Sequence, residues 1–194
     1  MPDAQPADAE RKPAPGDAAT RERLAQNRLQ EELRARGMLR EDGLTIYGQP
    51  ARHAIPAGHE PEGRMEATAL QRRLIACAHA TPAPGTGLCA SWVEQAFSRL
   101  GLGVVRGDAA QLYATCCKRT DLAELKVGMV LAVPTHPWAM AGRVHGHVGL
   151  YAGDRQVMDC VDARVRMVPL VLWLDTYGVM AEVHWGWLGN IPLS

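Results

Sequence analysis

The sequence lacks the features that would place it in several broad classes. It carries 21 basic and 21 acidic side chains among 194 residues, so its formal net charge is zero and nothing favours binding to nucleic acid or to a membrane surface. It has no apolar run long enough to span a bilayer. Residues 1–17 lack the continuous apolar core of a signal peptide, because charges and prolines interrupt them. We therefore expect synthesis in the cytoplasm without a signal peptide, and release or injection by another route if the protein acts elsewhere.

Cysteine is too scarce and too irregularly spaced to form a disulfide framework. There are five cysteines and no Cys-x-x-Cys pair, which argues against both a small disulfide-rich fold and a structural zinc site. Cys116 and Cys117 are adjacent and would be strained as a disulfide. We expect reduced thiols, and we expect neither a metal nor another cofactor.

The N-terminal third is too polar to build a core of its own. Residues 1–63 are predicted to be a partly disordered extension, with one amphipathic helix over residues 20–36. The leucines of that helix form a narrow stripe that could dock on the domain or on a partner helix, although a mostly solvated helix is an equal alternative. Residues 37–63 are interpreted as a linker or as an arm lying on the domain. We place the boundary of the folded domain, residues 64–194, near Arg64.

Beyond Arg64 the apolar periodicity changes from a helical to a strand-like pattern. It predicts helices over residues 64–80, 89–100 and 108–117, with Asp108 as an N-cap. Short valine-rich segments then predict strands over residues 127–133, 144–151, 156–161, 164–170 and 182–188, with a helical turn at 171–178. Helices followed by an antiparallel sheet indicate an α+β fold.

One of these helices begins at a cysteine. Residues 81–100, TPAPGTGLCASWVEQAFSRL, open with prolines and glycines and become helical at Cys89. At a helix N-terminus, unpaired N–H groups and the macrodipole lower the pKa of a thiol, and the thiolate is the nucleophilic form. The alternative is that Cys89 is one more buried small side chain, which is the commoner case for a free cysteine.

A second stretch, residues 142–161, contains a base and a carboxylate that could activate this cysteine. The turn Ala152-Gly153-Asp154-Arg155 predicts a hairpin whose first strand carries His147 and whose second strand carries Asp159. Side chains on one face of a hairpin can touch. A histidine held by a carboxylate and facing a thiol is the arrangement of nucleophilic catalysis.

Three segments, GLCASWVEQAF, LKVGMVLAVP and HGHVGLYAGDRQVMDC, together resemble the NlpC/P60 and CHAP families of papain-like cysteine peptidases and amidases. The resemblance covers roughly residues 65–190, and Pro169, Trp173, Tyr177 and Gly178 follow the NlpC/P60 tail. It implies a papain-like fold in which N-terminal helices pack on an antiparallel sheet. It further implies that Cys89 is the nucleophile, His147 the base and Asp159 the orienting residue.

The families that this chain resembles cut bacterial peptidoglycan. The resemblance implies an endopeptidase that hydrolyses stem or cross-bridge peptides through a thioacyl-enzyme, with peptidoglycan as its partner and the cell wall as its place of action. A phage lysin or a virion-associated enzyme would agree with the missing signal peptide. The chain has Leu88-Cys89-Ala90 where NlpC/P60 members commonly have Asp-Cys-Ser. An N-acetylmuramoyl-L-alanine amidase of CHAP type and a degenerate domain that binds the wall or an assembly therefore stay open as alternatives.

Four further residues are candidates for contact with substrate. Trp138 precedes His147 in a loop, where binding residues are common, whereas Trp92 is placed equally well in a groove or in the core. Ser91 and His145, which lie close in sequence to Cys89 and His147, complete this set. We interpret Cys160 as a core residue because it follows Asp159 and points to the opposite face of the strand.

Two more interpretations remain open from the sequence. His136, His145 and His147 could bind a metal ion, although no defined fourth ligand accompanies them. Tyr47 could reach the site from the N-terminal extension.

Overall fold

The computed structural model describes residues 55–193 of the chain. The predicted helix over residues 20–36 and the proposed reach of Tyr47 lie outside the described residues. None of the helices within residues 55–193 combines the length and the apolar character needed to cross a membrane.

An antiparallel sheet of five strands organises the described part of the chain. Its order is β4-β3-β2-β1-β5. The strands are β1 (Val130–Val133), β2 (His147–Gly153), β3 (Gln156–Val161), β4 (Arg164–Pro169) and β5 (His184–Gly186). The strands β1, β2 and β3 each pair with the next strand along the chain, while β5 returns to pair with β1. Together with the helices, this sheet confirms the predicted α+β class and the antiparallel arrangement.

The helices lie before, within and after the run of strands. They are α1 (Ala69–Ala80), α2 (Cys89–Arg99), α3 (Ala109–Thr115), α4 (Met140–His145) and α5 (Leu170–Tyr177), with 3-10 turns at Leu122–Glu124 and Leu188–Asn190. Capping boxes begin α1 at Thr68 and α3 at Asp108, where a side-chain oxygen accepts from a backbone N–H in the first turn. The prediction of Asp108 as an N-cap is thus confirmed.

The predicted strand over residues 144–151 starts too early. His145 is the last residue of α4, and β2 begins only at His147. Gly146 separates them with a φ of 71°, a left-handed conformation in which a Cβ would lie 2.0 Å from the carbonyl oxygen of Val133. Only glycine allows the chain to turn from helix into strand so close to β1.

Both faces of the sheet are covered, and each face has its own apolar cluster. Val148 and Leu150 join the cluster formed with α1, α2 and α3, where Trp92 is fully buried. Tyr151 joins the second cluster, which contains Trp173 of α5. Because successive side chains of a strand point to opposite faces, a strand covered on both sides is apolar at nearly every position, as β1 and β2 are.

Residues before Arg64 are bonded to this fold. The Glu62 carboxylate accepts from the backbone N–H of Val127 at 2.8 Å and from Gln71 Nε2 at 3.1 Å. The Glu62 carbonyl accepts from Tyr151 Oη at 3.0 Å, and its N–H donates to the Leu125 carbonyl at 3.0 Å. A boundary at Arg64 would cut through these contacts, so residues 55–63 are an arm lying on the domain, which was one of the two interpretations of this segment.

Candidate active site

Cys89 lies at the start of a helix, as its sequence context predicts. It is the first residue of α2, and its N-cap Leu88 makes no side-chain capping bond. The thiol is buried, with 8% of the residue exposed. Hydrogen bonding to the His147 side chain, and to the backbone N–H groups of Val148 and Ala90, lowers the pKa of this thiol. The thiol therefore faces hydrogen-bond donors, the surroundings that a thiolate requires.

His147 connects Cys89 to a buried carboxylate. Its Nε2 lies 2.9 Å from Asp159 Oδ2, which leaves Nδ1 for the hydrogen bond to Cys89. His147 is the first residue of β2, so it lies at the end of the strand, where Cys89 from α2 and the side chains of α5 on the other face both reach it. The three predicted catalytic residues are thus in contact in one chain of hydrogen bonds.

A bulge in the β2–β3 hairpin places Asp159 on the same face as His147. Gly153 pairs with Gln156, but Tyr151 pairs with Val157, so Ala152 is an extra residue in β2. If the pairing of Gly153 with Gln156 continued along the hairpin without a shift, Asp159 would lie opposite Leu150. The side chain of Leu150 points to the opposite face of the sheet from that of His147. The shift places Asp159 opposite Gly149 instead, diagonal to His147. Because a slip of one residue exchanges the faces of a strand, this bulge is what allows the pair to form.

Asp159 is fully buried and accepts from three side chains. Besides His147, Trp173 donates from Nε1 to Oδ2 at 3.0 Å. Arg166 donates from Nε to Oδ1 at 2.7 Å and from Nη2 to Oδ2 at 3.1 Å. Gly149 makes room for this cluster, because a Cβ at that position would lie 3.3 Å from Trp173 Nε1 and 2.7 Å from a Val157 methyl group. Four hydrogen bonds therefore reach the carboxylate, three at Oδ2 and one at Oδ1.

Two more rings enclose the imidazole of His147. The Tyr177 ring lies against its face, with the ring centroids 4.2 Å apart, and His136 lies edge-on at 5.8 Å. The backbone N–H of Trp138 donates to His136 Nδ1 at 3.3 Å, so a neutral His136 carries its proton on Nε2. Burial, reinforced by the charge of His147, lowers the pKa of His136 to about 4. At neutral pH His136 is therefore an uncharged neighbour of Cys89 and His147.

The electrostatics of the site favour a thiolate–imidazolium pair. Burial raises the pKa of the Cys89 thiol, but the hydrogen bond and charge of His147 outweigh it, and the net pKa lies below the ordinary value. Burial likewise lowers the pKa of His147, but its hydrogen bonds to Asp159 and Cys89 raise it to about 9. The pKa of Asp159 is held far below its ordinary value despite burial, first by the charge of Arg166 and then by His147.

The predicted substrate residues separate into different environments. Trp138 is half-buried on the loop that carries His136, and its Nε1 donates to the Thr176 carbonyl of α5 at 2.7 Å. Ser91 is half-buried in the first turn of α2, beside Cys89. These two lie next to the catalytic residues, and their contact with substrate stays a prediction.

Burial corrects the assignment of Trp92 as a substrate residue, whereas His145 is exposed. Trp92 is completely buried and donates from Nε1 to the Thr81 carbonyl at 3.2 Å, so it packs in the core and has no surface to offer a substrate. His145 is exposed at the end of α4, where its Nδ1 lies 2.8 Å from Asp108 Oδ2. Gly146 separates His145, at the end of α4, from His147, at the start of β2, and contact of His145 with substrate stays a prediction.

The same contacts bear on the alternative of a metal site. Both nitrogens of His147 are hydrogen-bonded, one to Asp159 and one to Cys89, while His145 pairs with Asp108. Within residues 55–193, no group of three or more His, Cys, Asp or Glu side chains is arranged to hold a metal ion. The histidines that suggested a ligand set therefore have separate partners.

None of the other four cysteines is a hydrogen-bond partner of His147 or Asp159. All five thiols are free. Cys160 is buried in the apolar cluster on the side of α1 to α3, which confirms its interpretation as a core residue, and burial raises its pKa to about 11.

Sequence reasoning missed Arg166, although a signal for it was present. The turn between β3 and β4 has two residues, Asp162 and Ala163, both in the left-handed region with φ of 50° and 58°. A two-residue hairpin fixes the pairing by counting outward from the turn, and this count places Arg166 opposite Asp159. A cross-strand pair of opposite charge beside a candidate catalytic residue was therefore readable from the spacing.

Comparisons of this chain with protein-family models, with curated proteins and with solved structures found no match. The assignment of a function therefore rests on the geometry of the site and on the sequence motifs.

Proposed function

We propose that this chain is a cysteine endopeptidase that hydrolyses peptide bonds of bacterial peptidoglycan, with a papain-like fold of the NlpC/P60 and CHAP type. The observation that carries the proposal is the continuous hydrogen-bonded series from Cys89 through His147 to the buried Asp159. A buried thiol needs no such partners for packing alone, and three polar groups in this order are what acyl transfer requires.

The geometry supports a mechanism in two steps. The Cys89 thiolate attacks the carbonyl carbon of the scissile amide, and the backbone N–H of Cys89, unpaired at the start of α2, would stabilise the oxyanion. His147 gives the proton on Nδ1 to the leaving amine, so the C–N bond breaks and a thioacyl-enzyme forms. His147 then takes a proton from water, which attacks the thioester and releases the acid. Asp159 holds the imidazole in orientation throughout.

The substrate class follows from the motifs around these residues. The HGHVGLYAGDRQVMDC segment supplies His147, the bulged hairpin and Asp159, and it is the part that most resembles cell-wall hydrolases. Leu88 is exposed and Ala90 is buried, so the side chains that flank the nucleophile are apolar where NlpC/P60 members commonly carry Asp and Ser. We therefore propose cleavage within stem or cross-bridge peptides at the cell wall, delivered in the manner of a phage lysin or a virion-associated enzyme, and leave the individual bond to product analysis.

Digestion of purified sacculi tests the proposal. The chain and its Cys89→Ala variant would be incubated with walls of both the diaminopimelate and the lysine type, and the products would be separated and identified by mass spectrometry. New amino termini within the peptides, absent with Cys89→Ala, would support an endopeptidase. A new N-terminal alanine would identify an amidase instead. Intact walls together with an unreactive Cys89 would favour the degenerate binding domain.

A further inference from the structure

Arg166 contacts two of the groups that hold His147. It lies on β4 directly opposite Asp159, and its guanidinium donates to both carboxylate oxygens, at 2.7 and 3.1 Å. Its Nη2 also lies 2.9 Å from Tyr177 Oη. Asp159 is bonded to the edge of the imidazole, and the Tyr177 ring lies against its face. The Arg166 guanidinium therefore links Asp159, which fixes the edge of the His147 ring, to Tyr177, which fixes its face.

Solvent cannot replace these contacts. Asp159 has no exposed surface, so no water would take over the two hydrogen bonds if Arg166 were removed. A buried carboxylate that loses its cation is left with an uncompensated charge. Lysine would keep the charge but could not reproduce the two parallel hydrogen bonds of the guanidinium fork.

Arg166 also sets the charge of the site. The thiolate of Cys89 and the imidazolium of His147 cancel each other, and Arg166 cancels Asp159. Without Arg166 the buried group carries a net negative charge, which raises the pKa of every titratable neighbour. The titratable and charged groups that interact with this cluster come from α2, the loop before α4, β2, β3, β4 and α5. They are Cys89, His136, His147, Asp159, Arg166 and Tyr177, together with Cys160 behind the sheet.

We propose that Arg166 is a positioning residue of the active site: it holds Asp159 and Tyr177 in the arrangement that orients His147, and its charge sets the pH range in which Cys89 is a thiolate. This inference rests on the proposed function, because it assumes that Cys89 reacts as a thiolate. It needs no substrate to test, because the state of Cys89 is read directly by alkylation.

The test compares the full chain with Arg166→Gln, Arg166→Lys and the control Arg164→Gln, which removes the same charge from an exposed position on the same strand. The rate of alkylation of Cys89 by iodoacetamide is measured against pH by peptide mass spectrometry, and thermal unfolding is followed by circular dichroism. We expect the midpoint of the alkylation profile to move upward by roughly one pH unit in Arg166→Gln. Arg166→Lys and Arg164→Gln should keep the midpoint of the unaltered chain.

A second readout reports position rather than charge. A ring N–H bonded to a buried carboxylate gives a downfield proton resonance, assigned here by its loss in His147→Ala. This resonance should be lost or shifted in both Arg166 variants and unchanged in Arg164→Gln. If Arg166→Gln does not fold, the resonance in Arg166→Lys shows whether Arg166 positions His147.

A folded Arg166→Gln chain with an unmoved midpoint would overturn the inference, and so would an unchanged resonance in Arg166→Lys. Failure of the proposed function would look different. In that case Cys89 of the unaltered chain would label no faster than Cys77 at pH 6, before any variant is compared.

Discussion

Two regions of the molecule hold buried thiols, and they place them at opposite ends of helices. Cys89 begins α2, where N–H groups are unpaired, whereas Cys116 follows the last residue of α3 and its Sγ lies 3.1 Å from the Leu112 carbonyl oxygen. Both thiols have a pKa below the ordinary value. For Cys89 the lowering comes from His147, which overcomes burial, and for Cys116 it comes first from the hydrogen bond to the Cys117 thiol.

Under the proposed mechanism, a lowered pKa does not by itself make a thiol the nucleophile. The partner of Cys89 is an imidazole with a pKa of about 9, which can hold a proton at neutral pH and give it to a leaving amine. The partner of Cys116 is another thiol, whose own pKa is raised by their shared hydrogen bond and by burial. The two regions therefore differ in the group that accepts the thiol proton and in the end of the helix at which the thiol lies. Both differences can be tested.

The largest expected effect separates the two thiols by mutation. Cys89→Ala should lower wall hydrolysis by roughly 10³-fold or more, because it removes the nucleophile. Cys116→Ala should retain hydrolysis within a few-fold and lose only some stability, since it deletes a buried sulfur. Release of soluble wall fragments measures the rate, and thermal melting checks the fold. Full activity in Cys89→Ala would remove the central claim.

The proton acceptor is tested next. His147→Ala should abolish hydrolysis, and the double variant with Cys89→Ala should be no worse than either single change, because residues that act as a unit are not additive. Asp159→Asn keeps the shape of the side chain but not its charge, and we expect a loss of roughly 10²–10⁴-fold. A fully active Asp159→Asn variant would show that His147 does not need the charge of Asp159.

The dependence on pH follows from the shifted pKa values. Activity should rise as the pH increases through the lowered pKa of Cys89, and fall as it increases through about 9, where His147 loses the proton that it must donate. At pH 6, iodoacetamide should label Cys89 roughly tenfold or more faster than the other four thiols. Peptide mass spectrometry gives the order in which the cysteines are labelled. Unfolding in urea should make the five labelling rates equal. Faster labelling of Cys116 in the folded chain would reverse the comparison.

Shortening the chain should lower the stability of the fold that holds both thiols. It should not change which thiol is labelled faster. A chain of residues 64–194 loses the four hydrogen bonds of Glu62 and should be less stable than residues 55–194 by about 2–6 kcal/mol, at about 0.5–1.5 kcal/mol for each bond. Urea unfolding of the two chains measures this difference. Labelling at pH 6 should still favour Cys89, and loss of that preference would mean that the arm completes the site.

The smallest effect is expected at Cys160, which adjoins Asp159 in sequence but points to the other face of β3. Cys160→Ala should leave hydrolysis and the labelling of Cys89 unchanged, at a cost of about 1 kcal/mol in the free energy of unfolding. Thermal and urea unfolding measure the cost. A strong loss of activity would show that the core behind the sheet controls the site.

Much of the fold could be predicted because its signals are local. The change from helical to strand-like periodicity indicated the α+β class, and the glycines and prolines before Cys89 indicated where α2 begins. The contacts of residues 55–63 were harder to predict. The arm over residues 55–63 has no periodicity, and what holds it is the pairing of Glu62 with distant backbone and side-chain groups. Pairing of that kind leaves no local pattern.

The candidate site was predictable in its residues but not in its geometry. The sequence by itself determined the chemistry that is available: a cysteine at a helix start, and a histidine and an aspartate on the two strands of a hairpin. Only the tertiary structure decided that the bulge at Ala152 brings Asp159 to the face of His147, that Arg166 and Trp173 donate to the carboxylate, and that Trp92 lies in the core. The physical reason is that side-chain type and periodicity are properties of short segments. Register, burial and the pairing of charges depend on which segments meet, and a shift of one residue is enough to reverse them.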